Sequence, residues 1–587
     1  MPLQGDDDGL NNISNTLLHT NHRCDSAQVR SVNAMIVQRS DNIKAIDHNV
    51  WSIQLKINEL MNSIKALKEA RLQEKKEISC CEYILSPIRL LPHELLMKIF
   101  KYTVTVCHPS RSSKSPLALT HVCSTWRNVL SGSDFWNELE LFVMPSTKAS
   151  PGVFSERVAS WYGHSSSSHP LRLSVWIGGT PKDFDVQADL SQSIAAFSPR
   201  FVKLSLNFEF GNYDALAPFL CLPSDSLPAL ESLCLLAGTN EEAVEPGDTP
   251  PLLPPTAVFA AAPRLHTLYL SVPSRLLTDL TRLCLPWTQL THLIIANAIT
   301  LSAFTHVLFQ CAPRLRSARF ACISIAADHS DPAPRPPRLP SVPQTFPCLE
   351  HLSLSVLFCA TRPGTPSILN VLQLLRLPNL QTIKVSSEYD TFPAYALLHH
   401  LAEPGSTAYG RAFSLKEIVL CHVKMEAAEL VEILGRFTGV EKLGLFVRSA
   451  SPNVILRRMK EMGWLLHLRE FSFVFLPEDA EGKDMRGVGK DFGALVAEWT
   501  KCGGGRRLQK AGLYAFGDLG QEVVRAMAED VRAAALFGDA EYGTSVLGDD
   551  RVRAHAVREP RLDLEVEMKH YFDDVTTMFG FSDEELY

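Results

Sequence analysis

The chain has 587 residues, 46% of them hydrophobic, and its 57 Lys and Arg against 64 Asp and Glu leave a formal charge of −7. Such a length can fill more than one core or one extended repeat array, and so mild a negative charge argues against a global electrostatic grip on nucleic acid. The 14 cysteines are scattered with no CxxC pair, Cys80 and Cys81 being adjacent rather than spaced as metal ligands, and no apolar run is long enough to span a bilayer. With no apolar leader pattern ahead of a processing signal, a reducing intracellular compartment, cytoplasm or nucleus, is expected.

Residues 1–45 show no sustained period. Asp6–Asp8 and the Asn-rich stretch after them predict a disordered segment. From 46 to 84 the pattern changes: Ile53, Ile57, Leu60, Ile64 and Leu67 alternate by four and three, and Ile78 returns to the same seam after Arg71 and Glu74 interrupt it. This heptad spacing predicts a helix, with Lys65, Lys68 and Glu69 on its exposed face. The uses of the seam stay open at this level: a single helix packed beside the following segment or extending from it, self-association through residues 53–78, or pairing with a partner helix.

Residues 85–142 hold two amphipathic patterns. In the first, Pro92 and Glu94 suit the start of a helix, and Leu91, Leu95, Ile99 and Tyr102 recur at helical spacing with Leu96 and Phe100 widening the stripe. After a polar insert, Val104–Pro116, apolar residues resume at Leu117, Leu119, Val122, Cys123, Trp126, Val129 and Leu130, which predicts a second helix ended by Ser131–Asp134. Phe135 and Trp136 open a further short element that Leu139 and Leu141 continue. Helices this short leave apolar surface for the rest of the chain or a partner to cover.

Leu91-Pro92-His93-Glu94-Leu95-Leu96 with Ile99-Phe100, then Val122-Cys123-Ser124-Thr125-Trp126-Arg127 and Phe135-Trp136, resembles an F-box. The whole arrangement, with a heptad helix before the box and leucine-rich segments after it, resembles fungal, mushroom-type F-box proteins. The resemblance implies an all-helical box that docks on a Skp-type adaptor, and through it on a cullin–RING ubiquitin ligase, while the remainder of the chain selects a protein substrate. Carried over residue by residue, Pro92 and Glu94 match the start of the box, and Leu91, Leu95, Leu96, Ile99 and Phe100 match its apolar helix. Val122, Cys123, Trp126 and Arg127 match the second signature, with Trp136 as the closing aromatic. The insert is longer than a compact box needs, which costs little in stability.

From 165 to 480 one phrase recurs. Leu227-Pro228-Ala229-Leu230-Glu231-Ser232-Leu233-Cys234-Leu235 is echoed at 262–270, 288–295, 346–354 and 377–385, with a degenerate copy at 312–320. In LxxLxL one leucine falls in a turn and two on the same inward face of a short strand, because strand side chains alternate. The strand markers Leu233, Leu268, Leu293, Ala318, Leu352, Ile383, Ile418, Leu443 and Phe471 are spaced as leucine-rich repeats of uneven length, with weaker forerunners at Leu171–Val175 and Leu204–Leu206. An α/β fold is expected, an irregular leucine-rich-repeat solenoid whose concave face binds protein. Asn240–Pro255 and Asp331–Pro343 read as irregular excursions.

Residues 481–587 are expected to form a divergent cap or tail. Gly503–Gly505 lacks the GK[ST] of a phosphate loop and reads as a turn, 518–535 reads as helical, and 551–571 mixes alternating apolar and charged residues. No catalytic constellation stands out. His399–His400 has no neighbouring Cys ligand, so neither enzymatic activity nor a cofactor, metal, nucleic-acid or membrane partner is expected. A free-standing repeat scaffold and a box protein that recruits no substrate for degradation remain the alternatives.

Overall fold

The computed structural model describes residues 23–105, 116–143, 153–177, 194–209, 217–238, 257–272, 284–324, 342–357, 368–387, 394–403, 415–448, 451–462, 467–475, 485–502 and 508–516, and beyond these 526, 529–530, 542–547, 551–556 and 563–569. Residues 1–22, the centre of the 104–116 insert, the excursions at 240–255 and 331–341, Gly503–Gly505 and nearly all of 518–535 therefore lie outside the described residues. The chain divides into two units, Met1–Thr105 and Val106–Tyr587. That division falls inside the segment expected to form one box domain.

In the first unit α1 (Ser26–Ile84) is a single helix of 59 residues. The expected disorder up to residue 45 is corrected here, since the chain is helical from Ser26. The cause is local: Asp25 Oδ1 accepts from the N–H groups of Ala27 and Gln28 at 2.9 and 2.7 Å, and Gln28 Oε1 accepts from the Asp25 N–H at 3.0 Å. This reciprocal capping box satisfies donors that the first turn leaves unpaired. No residue of α1 is buried. A 3₁₀ turn, Pro87–Leu90, follows, and α2 (His93–Thr105) begins with Pro92 standing just ahead of it, its carbonyl accepting from the N–H groups of Leu95 and Leu96.

The second unit opens with α3 (Pro116–Thr120) and α4 (Ser124–Leu130) where one helix was expected. The break lies at Cys123, whose backbone is extended (φ −160°, ψ 170°) and whose Sγ accepts from the Trp126 N–H at 3.5 Å as an N-cap. Gly132, at φ 72°, makes the turn after α4 and leads into a 3₁₀ turn, Asp134–Trp136. The expectation that the helical box runs to residue 142 is corrected next: Leu139 and Leu141 lie in a strand, β1 (Glu138–Val143), that pairs in parallel with β2 (Leu171–Ile177).

These two strands begin a 16-stranded sheet. It continues in chain order through β3 (Phe201–Glu209), β4 (Ser232–Gly238), β5 (Thr267–Ser271), β6 (His292–Thr300) and β7 (Ser317–Ser324). Next come β8 (His351–Leu357), β9 (Thr382–Ser387), β10 (Glu417–Lys424), β11 (Lys442–Arg448), β12 (Glu470–Phe475) and β13 (Lys510–Phe516), all parallel. Beside β13 lies β16 (Asp563–Lys569), still parallel, and then β15 (Arg551–Ala556) and β14 (Tyr542–Leu547), both antiparallel.

The register is what the repeated phrase anticipates. Leu233 is paired with Leu268, that with Leu293, then Ala318, Leu352, Ile383, Ile418, Leu443 and Phe471, each the Cα partner of the next. Two places on, Leu235, Leu270, Ile295, Phe320, Leu354, Val385, Leu420, Leu445 and Phe473 form a second row, and nearly every member of both rows is buried. Turn leucines three places before the marker, including Leu230, Leu265, Leu290, Leu315, Leu349 and Leu380, make a third row at 0% exposure. The carbonyl of Glu231 accepts from the N–H groups of His266 and Thr267, that of His266 from Thr291 and His292, that of Thr291 from Arg316 and Ser317, and so on to Arg469, a staircase along the N-terminal rim of the strands.

The boundaries expected for this array are corrected at both ends. The same rows run back through Leu204 and Leu173 to Leu139, and forward through Ala511 to Leu564, so the sheet is longer than 165–480 and much of the supposed C-terminal cap belongs to it. Parallel strands need crossovers. These include α5 (Val153–Gly163), α6 (Ala217–Leu220), α7 (Leu301–Cys311), α8 (Ile368–Leu372), α9 (Ala394–Ala402), α10 (Ala427–Leu434), α11 (Pro452–Met462) and α12 (Met485–Cys502). The last five pack in order, each on the next, and together with the strands they bury one continuous apolar core from Leu139 to Leu513.

Candidate functional site

The residues that the box resemblance singles out divide between the two units, and each half has its own geometry. In α2 the stripe is wider than one side needs. Leu96 and Phe100 are 2% and 1% exposed, whereas Leu95, Ile99 and Tyr102 keep 45%, 40% and 75% of their surface in water. Positions i and i+4 share a helix face, so Leu96 with Phe100 and Leu95 with Ile99 form two adjacent ridges of which one is covered. Leu91 is half-buried, and Pro92 and Glu94 are exposed, with Glu94 in the first turn where its charge meets the positive end of the helix.

In the second unit Leu117 and Val122 are exposed at 43% and 44%, Cys123 and Trp126 are half-buried, and Arg127 is exposed while its Nε donates to the Thr120 carbonyl at 3.2 Å. That bond ties the two short helices together across the break. Trp136 is different from its expected role: at 1% exposure it offers a partner no surface. Its Nε1 donates to the Leu130 carbonyl at 2.8 Å, its ring meets Trp161 edge to face at 4.9 Å, and His164 lies 4.8 Å away. Leu96, Phe100 and Trp136 are therefore supports, and the sequence pattern had no means of separating them from Leu95, Ile99 and Val122, because the same residue types serve both purposes.

A second feature, which the repeats did not signal, lies on the rim of β4 to β7. A groove of about 470 Å³ is lined by Glu231, Arg264, His266, Gln289, Thr291, His292, Arg314 and Arg316. Gln289 Nε2 donates to the carbonyls of Ala262 and Leu265 at 2.7 and 3.0 Å and so fixes the turn, while Thr291 Oγ1 bonds the His266 carbonyl at 3.1 Å. Arg264, Arg314 and Arg316 make no ion pair among the described residues and face a single carboxylate in the lining. Burial, followed by the positive surroundings of His266, Arg316 and His351, holds His292 below the ordinary imidazole pKa even though Glu350 pulls the other way. This groove was hidden in the sequence because its polar residues come from four copies of the phrase, one to three from each.

Farther along the sheet the outer charges are paired. Glu417 lies 3.6 Å from Lys384 and 3.5 Å from Lys442, and Lys442 lies 3.5 Å from Glu470. Burial disfavours the Lys442 ammonium, but the two carboxylates outweigh it and raise its pKa. His399 sits 3.4 Å from Glu403 one helical turn on, and His400 Nε2 is 3.4 Å from the Leu375 carbonyl. Among the described residues no group of His, Cys, Asp and Glu is arranged to hold a metal ion, and no helix is long and apolar enough to cross a membrane.

No protein-family model matches this chain, and no curated protein matches it.

Proposed function

We propose that this chain is the substrate-recognition subunit of a Skp–cullin–F-box ubiquitin ligase, with an F-box that docks on the Skp-type adaptor and an irregular leucine-rich-repeat solenoid that binds a protein substrate. The observation that carries the first half is the exposed ridge Leu95–Ile99 beside the buried pair Leu96–Phe100, with Val122 and Leu117 likewise exposed in the second signature. Apolar side chains left in water on two short segments are what a docking partner covers. The second half is supported by the unbroken rows of the sheet, since units of strand and crossover stacked in chain order are the construction of a solenoid. On this reading the chain makes and breaks no bonds. It raises the effective concentration of substrate near a ubiquitin-loaded partner enzyme.

The groove between Arg264 and Arg316 supports an acidic segment as the part of the substrate that is held, because its lining has three arginines and one glutamate, Glu231, with Glu350 near enough to act on His292. A labelled poly-glutamate peptide should bind the full chain in low salt and bind the Arg264→Glu/Arg316→Glu variant at least tenfold more weakly.

The test of the ligase reading is calorimetric binding of purified Skp-type adaptor to the full chain. Leu95→Asp/Ile99→Asp and Val122→Asp variants should bind at least tenfold more weakly while keeping the wild-type thermal transition. Phe100→Asp is unsuitable because that residue is buried. Absence of adaptor binding by the well-folded wild type would leave the second reading, a free-standing repeat scaffold, which the long sheet supports equally well.

A further inference from the structure

The long helix α1 carries more than the seam at 53–78. Because it starts at Ser26, the heptad can be followed from its first turn: Val29, Ile36, Ile43, Val50, Ile57 and Ile64 stand seven apart, and Ile78 resumes that line after Arg71. The companion line, three places on, holds Val32, Ile46, Ile53, Leu60 and Leu67, with Arg39 and Glu74 as its polar members and Cys81 at its end. None of these side chains is buried, and those of Ile43, Ile46, Val50, Ile53 and Leu60 are 57–63% exposed. An isolated helix owes little of its stability to propensity alone, so this seam wants a cover along a length of about 88 Å at 1.5 Å per residue.

We propose that α1 forms a parallel, in-register, two-stranded coiled coil with a second copy of this chain. The period identifies the kind of cover. A straight helix drifts about 20° per heptad from a strict seven-residue repeat, so a seam kept over seven heptads stays against its cover only if the cover winds with it, as another helix does and a globular surface does not. The seam's composition bears on orientation and number. β-Branched residues fill seven of the eight places on the first line, Arg71 being the other; with leucine at 60 and 67 on the second line, the C-terminal part of the seam has the pattern that favours two parallel strands, whereas Val32, Ile46 and Ile53 on the second line pull toward three, so the measured mass decides the number.

The charges of the seam fit a second copy in a parallel register at one end. There each seam residue faces its own copy, so Arg71 and Glu74 both meet like charges, but they occupy successive layers and the two guanidinium groups lie next to the two carboxylates, while the Arg39 pair lies between layers of isoleucine. An antiparallel pair overlapping over its whole length would set Arg39 against Arg71 twice and leave Glu74 opposite Ile36. The flanking pairs of a parallel dimer, Asn42 with Asp47, Asn49 with Gln54, Lys56 with Met61, Ser63 with Lys68 and Ala70 with Lys75, oppose no like charges; only Glu77 with Glu82, near the end of the helix, does.

Sedimentation equilibrium of the full chain over the micromolar range tests this. The expected mass is twice 65.1 kDa, reduced to one chain by Ile57→Lys/Ile64→Lys, whose sheet unit should keep its thermal transition, and unchanged by Leu55→Lys, which lies off the seam. Orientation is read from Cys81, which a parallel register places opposite its own copy: oxidised glutathione should give a covalent dimer that is lost in Cys81→Ser and retained in Cys80→Ser. A monomer at every concentration, a three-chain mass, a dimer that survives Ile57→Lys/Ile64→Lys, or a cross-link indifferent to Cys81 would each overturn the proposal.

Discussion

The helix 26–84 and the sheet 138–569 use the same residues, Ile, Leu and Val at fixed intervals, with opposite outcomes. Along the helix the interval is three and four, nearly every marker stands in water, and no side chain is buried. Along the sheet the markers are about thirty residues apart, each is covered by the strand before and the strand after, and the row from Leu230 to Leu380 has no exposed surface at all. The contrast teaches that regular spacing supplies a stripe but not a cover. In the sheet the chain itself provides the next copy of the stripe, whereas the helix has only one copy per molecule.

The largest expected effect comes from removing a row member with a fixed partner. Phe320 packs edge to face on Phe304 at 4.7 Å and is fully buried. Phe320→Ala should lower the unfolding free energy of the sheet by about 3–5 kcal/mol in urea titration, whereas Ile57→Ala should leave that transition where it is and act only on association of the helices. Equal effects of the two substitutions on the sheet would break the comparison. Next in size, Leu293→Ala, in the centre of the first row, should cost about 2–5 kcal/mol, and its neighbours Leu268 and Ala318 should show the loss first in amide exchange.

Capping substitutions sharpen the contrast at smaller scale. Thr300 Oγ1 accepts from the Ala303 N–H at 3.2 Å at the start of α7, so Thr300→Ala should cost the sheet unit about 1 kcal/mol. Asp25→Ala removes the capping box of the long helix and should fray its first turns, seen as lost ellipticity with no change in the sheet's transition. The smallest expected effect is on pH. His292 is held below its ordinary pKa of 6.5, so the unfolded chain binds its proton more readily, and stability should fall as pH drops below 6.5. In His292→Asn that part of the slope should vanish. In the folded chain His292 takes up its proton only at lower pH than in the unfolded chain, and there the added positive charge should strengthen poly-glutamate binding.

Much of the sheet is readable from the chain because the phrase carries its own geometry: Pro-x-Leu for the turn, then two leucines two apart. The places where reading fails are physical exceptions to that phrase. The strand at 510–516 presents Ala511 where the first leucine of the pair is expected, with Leu513 in the second place, and the first strand has no Pro-x-Leu phrase ahead of Leu139 and Leu141, which follow a short helical segment. In the box-like segment the residue types were sufficient to find α2 and the second signature but not to rank them, since Leu95 and Leu96 are chemically equal and differ only in which way they point.

Local pattern, then, set the elements of this protein: a heptad seam makes a helix, LxxLxL makes a strand, and a recurring phrase makes strands that align in register, because period and turn chemistry act over a few residues. Packing decided the rest. Which ridge of α2 is covered, that Trp136 is a support, that Cys123 breaks one helix into two, and that arginines from separate turns share one groove all depend on residues far apart in the chain meeting in space, and nothing in a local period carries that information.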